Sequence, residues 1–177
     1  MRQTGKIALG GVLGAVSVVC MLMTVIPTMT YALPAVAGLV LMPTALEAGV
    51  KWGWLSYVAV AVLTWLFAPS MEAKMMFVAF FGYYPVLRLS IETLPTAPLR
   101  WVIKLAVFNA SMVAAYLLLL FVLGLDPETF VIGGVNVWWL LLVAGNVVFF
   151  IYDFALRGVI DTYWKRLHPL FMRIFRR

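Results

Sequence analysis

The sequence predicts an all-α integral membrane protein: a bundle of six transmembrane helices with short loops and a basic amphipathic tail. Three observations predict it. Of the 177 residues, 65% are hydrophobic and 11% are charged, against about half and about a quarter in a typical soluble domain. A domain this small has too much surface for its volume to hide such a composition from water, so its solvent is mostly lipid. The apolar residues fall into six runs, each near the ~20 residues that cross a bilayer as a helix. The basic residues fall almost wholly on alternate connections, the pattern of spans that reverse direction.

The first run, residues 7–26, follows Arg2 and Lys6. It is longer than the apolar core of a signal peptide, and similar runs follow it, so it is expected to be a retained helix ended by Pro27. The second, residues 31–46, contains Pro34 and Pro43. The third, residues 52–67, is closed by Ala68, Pro69 and Ser70. The fourth, residues 72–91, contains Gly82 and Pro85. The fifth, residues 99–125, has Arg100 and Lys104 in its first turns, and the sixth covers residues 131–156. Each run is apolar on every side, whereas a barrel strand alternates over about ten residues. No loop can hold a folded domain, so residues 1–177 are expected to be one domain. In the basic tail, residues 157–177, Trp164, Leu167, Phe171 and Ile174 recur at helical spacing with Lys165, Arg166, Arg173, Arg176 and Arg177 on other faces. Such a helix lies in the headgroup plane and is drawn to anionic lipid.

Six spans put both termini on one side. That side receives Arg2, Lys6, Lys51, Arg88, Arg100, Lys104, Arg157, Lys165, Arg166, Arg173, Arg176 and Arg177, and the other receives Lys74. By the positive-inside rule the rich side is cytoplasmic. A multi-pass protein of the cell membrane with both termini inside is therefore expected. The net charge of +6 reads as topology and lipid attraction, and no nucleic-acid partner is expected.

The sequence has no phosphate-binding glycine loop, nucleophile elbow or cysteine–histidine cluster. Its one cysteine, Cys20, and one histidine, His168, make neither a disulfide within the chain nor a metal site. No catalytic residue, metal or cofactor is expected, and ATP hydrolysis, if any, belongs to partner subunits. Intramembrane polar groups are few. Asn109 and Asn146 fall at similar depths on neighbouring helices and are expected to hydrogen-bond to each other, since an amide in hydrocarbon needs partners. Asp153 precedes Arg157 by one turn and is expected to pair with it. Pro85 and Gly82 mark an interruption of the fourth helix, which reads either as a structural kink or as a pointer to a binding site. Tyr84 is expected in an aromatic belt at the cytoplasmic interface.

At the outer helix ends the topology gathers Trp65, Phe67, Glu72, Lys74, Asp126, Glu128, Asn136, Trp138 and Trp139. Aromatic faces beside a few polar groups suit a small-molecule pocket, and tryptophan at that depth also suits a lipid-interface belt. On the first helix Ala8, Gly11 and Ala15 form a seam of small residues, with Gly10 and Gly14 beside it. Such seams let two helix backbones approach, either within a bundle or against a second protein.

The stretch Lys6-Ile7-Ala8-Leu9-Gly10-Gly11-Val12-Leu13-Gly14-Ala15, the later Phe80-Phe81-Gly82-Tyr83-Tyr84-Pro85, and Asn146 with Tyr152-Asp153 complete a resemblance. In these stretches and in its six-helix layout the chain resembles the substrate-binding S components of energy-coupling factor (ECF) transporters, in an uncharacterised branch. The resemblance implies a vitamin or micronutrient binder that has no ATPase of its own. It also implies docking, through small residues of the first helix, on a transmembrane coupling subunit driven by two ATPase subunits, with the binder toppling in the membrane to carry its ligand inward. That role maps onto Ala8, Gly11 and Ala15. The family's alanine-xxx-alanine spacing is not matched, because Val12 follows Ala8 by four residues and Gly11 with Ala15 supplies the nearest small pair. No ligand residue carries over by motif. By position, the expected ligand-binding residues are Trp65, Phe67, Glu72, Asp126, Glu128, Asn136, Trp138 and Trp139. The competing expectation is a non-transporting scaffold or regulatory subunit that assembles another membrane complex. A lipid-modifying enzyme is disfavoured because no acid–base or metal set is visible.

Overall fold

Residues 3–121, 124, 131–132, 135–136 and 138–168 are described by a computed structural model. Among the described residues seven α-helices run in the order α1 (Gln3–Leu22), α2 (Ala32–Ala48), α3 (Val50–Phe67), α4 (Met71–Met76), α5 (Tyr84–Ile91), α6 (Ala97–Phe121) and α7 (Trp138–Thr162). Short 3-10 turns, Met23–Val25 and Pro27–Met29, follow α1, and a two-residue antiparallel pair, β1 (Val131–Ile132) and β2 (Val135–Asn136), precedes α7. Among the described residues four stretches are long and apolar enough to cross a membrane: Gln3–Val25, Val50–Phe67, Ala97–Leu118 and Trp138–Arg166. The 17 residues of α2 rise only about 25 Å at 1.5 Å per residue, slightly less than the ~30 Å hydrocarbon core.

Helices α1, α2 and α3 pack together as a three-helix unit. Gly49 alone separates α2 from α3, at a φ of 100°, a backbone state that glycine reaches without steric cost. Gly53 then lets the two helices close: a Cβ there would lie 2.6 Å from the Cβ of Ala45. Pro34 stands in the first turn of α2, where its missing N–H has no partner to lose.

The fourth apolar run is not one helix. Ser70 caps α4 by accepting the Ala73 N–H at 3.2 Å, and α4 passes into a π-helical turn, Phe77–Phe81. A bend at residues 82–83 follows, and α5 starts with Pro85 in its first turn. Proline has no N–H for the ladder and its ring clashes with the carbonyl four residues back, here that of Phe81. The hydrogen-bond ladder therefore cannot run straight from α4 into α5, and the wide π turn takes up the mismatch. One carbonyl of that turn, Val78, accepts the Tyr57 hydroxyl of α3 at 2.8 Å.

This broken segment belongs to two cores. Phe77 packs with Met21, Leu41 and Val60 against the three-helix unit. Phe80 and Tyr84 pack with Met42, Phe108, Phe149 and Leu156, joining α2 to α6 and α7. Phe80 stacks on Tyr84 with ring centres 4.6 Å apart and meets Phe108 edge-on at 5.1 Å.

Two boundaries differ from the sequence expectation. The helix expected over residues 131–156 begins at Trp138, because Val131–Ile132 and Val135–Asn136 form the short strand pair. At its other end α7 runs through Arg157 to Thr162 and continues as a π-helical turn, Tyr163–Leu167. Nothing in the sequence breaks a helix between Leu156 and Arg157, so the first half of the basic tail extends the span instead of starting a new element. Phe171, Arg173, Ile174, Arg176 and Arg177 lie outside the described residues.

Candidate functional site

The two small-residue seams of α1 lie on adjacent faces of the helix, one packed and one open. Gly10 and Gly14 face α3: a Cβ on Gly10 would lie 3.0 Å from the Ser56 hydroxyl oxygen, and one on Gly14 would lie 3.4 Å from a Val60 methyl. Ala8, Gly11 and Ala15 are exposed, and a Cβ on Gly11 would meet nothing within 4 Å. Beside them runs an apolar groove of about 380 Å³ between α1 and α3, with Gly10, Gly11, Gly14 and Ala15 on one wall and Trp52 and Ala59 on the other. Small side chains on the α1 wall leave that backbone accessible, the geometry that admits another helix closely in lipid.

The outer-end residues behave differently from one another. Trp65 and Phe67 on α3 and Trp139 on α7 are exposed, and Trp65 borders a shallow apolar depression with Ala61, Leu66 and Val78. Glu72 is exposed in the first turn of α4. Trp138 stacks on Tyr116 of α6 with ring centres 4.0 Å apart and planes within 20°. Asn136 ends β2. Asp126 and Glu128 lie outside the described residues.

Sequence reasoning missed a buried ionic cluster at the other end of the bundle. Asp153 of α7 accepts the Tyr84 hydroxyl at 2.7 Å and the Arg88 Nε at 2.8 Å on one oxygen, and the Lys104 ammonium at 3.0 Å on the other. Lys104 also reaches Glu92 at 2.7 Å, and Glu92 takes Arg88 at 3.2 Å and Arg100 at 3.3 Å. Arg88, Lys104 and Asp153 are each 3% exposed. Charges this deep persist only when paired and hydrogen-bonded, and here each has at least two polar partners. Burial, the largest influence on the Glu92 carboxyl, would raise its pKa; Lys104, Arg88 and Arg100 together outweigh it and hold the group below the ordinary carboxylate range.

Two expectations are corrected by this cluster. Asp153 does not pair with Arg157; it turns inward to Arg88 and Lys104, and Arg157 is exposed. Tyr84 is not an interfacial residue but fully buried, with its hydroxyl committed to Asp153. The available signal was three ionisable residues inside apolar runs, which in lipid must find one another. The local i,i+4 spacing drew attention away from partners 49 and 65 residues distant.

Between the cluster and the Tyr116–Trp138 stack, Asn109 and Asn146 exchange two amide hydrogen bonds of 3.0 Å, as the sequence led us to expect. Tyr83, at the break, hydrogen-bonds to Ser111 of α6 and stacks on Trp54 of α3. At the ends of α2 and α7, Glu47 accepts the Tyr163 hydroxyl at 2.9 Å and lies 2.7 Å from Nδ1 of His168. Among the described residues no group of three or more histidine, cysteine, aspartate or glutamate side chains is placed to hold a metal ion. The Asp153 cluster, the Asn109–Asn146 pair and Glu47 thus hold helices to one another. No family model matches this chain, and no curated protein and no solved structure matches it.

Proposed function

We propose that this chain is the membrane-embedded, substrate-binding subunit of an ECF-type importer for a vitamin or other micronutrient. In this reading it crosses the cell membrane six times, with α2 and the composite α4–α5 segment as the second and fourth passes and both termini in the cytoplasm. The observation that carries the reading is the outward seam of Ala8, Gly11 and Ala15 beside the α1–α3 groove. Gly10 and Gly14 already supply the close packing that the fold itself needs, so the second seam is free to receive a helix of a transmembrane coupling subunit. Energy comes from ATPase subunits bound to that partner, since the sequence has no nucleotide-binding loop. The ligand is a small, partly flat organic molecule taken at the outer end. Trp138, already stacked on Tyr116, is the first aromatic to probe, with Trp65, Phe67, Trp139, Glu72, Asp126, Glu128 and Asn136 around it.

The same seam would serve a scaffold that carries no solute, and retained ligand separates the two. Mass spectrometry of protein purified gently from its native membrane tests the reading. A small organic solute present in stoichiometric amount, together with ATPase subunits, supports the importer. A partner complex with no solute and no ATPase supports the scaffold instead.

A further inference from the structure

A second apolar cleft, of about 540 Å³, lies between α2 and α7. Val36, Val40 and Pro43 form one wall, and Ala155, Gly158 and Val159 form part of the other. Its outer rim is open, with Val36 and Val159 exposed, while Met42 and Leu156 belong to the core alongside. One end is closed by polar groups. Glu47 stands one turn beyond Pro43, and its carboxylate binds Tyr163 and His168, tying the ends of α2 and α7 together. Arg166, exposed, stands one turn beyond Thr162 of the cleft wall.

From these features we infer that the cleft is a phospholipid site, with one acyl chain between α2 and α7 and the headgroup phosphate at Arg166. Wall shape and the cation decide between a lipid and a helix as occupant: the branched side chains of Val36, Val40 and Val159 hold a second helix backbone away, whereas an acyl chain fits between them. From Val36 to Pro43 and from Ala155 to Tyr163 the walls rise about 10–12 Å at 1.5 Å per residue. That length is close to the depth of one leaflet, about 15 Å. A cleft of that length, closed by polar groups and a cation at one end, matches a single lipid of the leaflet on that side. Apolar contact gives no net driving force in lipid, so selectivity comes from shape and from the cation. One basic side chain near the surface favours an anionic headgroup by about fivefold. This inference stands apart from the transport reading and needs only that the chain resides in a bilayer.

The test reconstitutes the full chain in vesicles of phosphatidylcholine and phosphatidylglycerol at three to one, extracts it in mild detergent, and counts the phospholipid retained per chain. The expected result is one retained phospholipid, enriched about fivefold in phosphatidylglycerol over the vesicle. Gly158→Phe, at a position where a Cβ would meet nothing within 4 Å, should fill the cleft and lose that lipid while the protein stays monodisperse. Val40→Trp, from the opposite wall, should do the same if Gly158→Phe fails to fold. Arg166→Gln should keep the lipid and lose the headgroup preference. Retained lipid that mirrors the vesicle, cleft-filling variants that retain as much as the parent, or an unchanged preference in Arg166→Gln would overturn the assignment.

Discussion

Gly38 of α2 sits against the carbonyl of Phe81 at the helix break: a Cβ on Gly38 would lie 2.0 Å from that oxygen and 2.9 Å from its carbon. The obstacle is backbone on both sides, so no side chain can swing away to make room. The π turn and the Pro85 start of α5 therefore depend on a position in α2 that carries no side chain.

Gly38→Ala should accordingly destabilise the protein although alanine is the better helix former. Overpacking of this kind costs about 1–3 kcal/mol, read as a lowered thermal midpoint in detergent. Gly11→Ala, on the open face of the same bundle, is the control and should be neutral or slightly stabilising. Equal midpoints for the two variants would show that α2 and the break are not in backbone contact.

The Asp153 cluster makes a sharper contrast. Asp153→Leu leaves Arg88 and Lys104 buried with too little compensation, and breaking one side of a buried pair costs about 3–5 kcal/mol. Arg157→Gln should change stability by no more than about 0.5 kcal/mol, as exposed substitutions do. If Arg157→Gln were the more damaging of the two, the local pairing would be the real one.

Glu92 supplies a pH signature. Its pKa in the folded protein lies below the ordinary value of 4.5, so the folded state holds the charged form more tightly than the unfolded state does. That stabilisation is fully present above about pH 4.5 and is lost as pH falls through the lower folded value. The midpoint difference between the parent and Glu92→Gln should be constant from pH 7 to about 5 and close below that. A difference that grows on acidification would reverse the sign of the interaction.

The two asparagines can be weighed by a double-mutant cycle. Asn109→Leu and Asn146→Leu each strand a polar amide in the bundle, and the double variant strands none. A coupling of about 0.5–2 kcal/mol is expected from such interhelical bonds, and simple additivity would place the amides apart.

How far the sequence could be read depended on the range of each interaction. Hydropathy located every long helix because lipid acts on each residue separately, and the Asn109–Asn146 bond was legible because two amides at one depth had few other partners. The break at Pro85 was visible as a proline, but the π turn before it was not, since it depends on Gly38 and Tyr57 in other helices. Asp153 was misassigned for the same reason: Arg157 is adjacent in sequence, and Arg88 and Lys104 are adjacent only in the fold. The direction of the α1 seams was likewise hidden, because Gly10 and Gly11 look alike until α3 is in place. The aromatics at the outer end were grouped by depth alone, and depth does not say which ring meets which.

The central claim is that α1 has one seam for its own bundle and another for a partner. It is tested most directly by affinity purification of the tagged chain from native membranes, with Gly11→Leu beside it. The parent should bring down a transmembrane coupling subunit and its ATPase subunits. Gly11→Leu should remain folded, with an unchanged thermal midpoint, and should lose them, whereas Gly53→Leu, at the α2–α3 contact, should fail to fold. Recovery of the same partner complex with Gly11→Leu as with the parent would contradict the claim, as would a parent that brings down no partner at all; a partner without ATPase subunits would keep the seam and replace the importer with the scaffold.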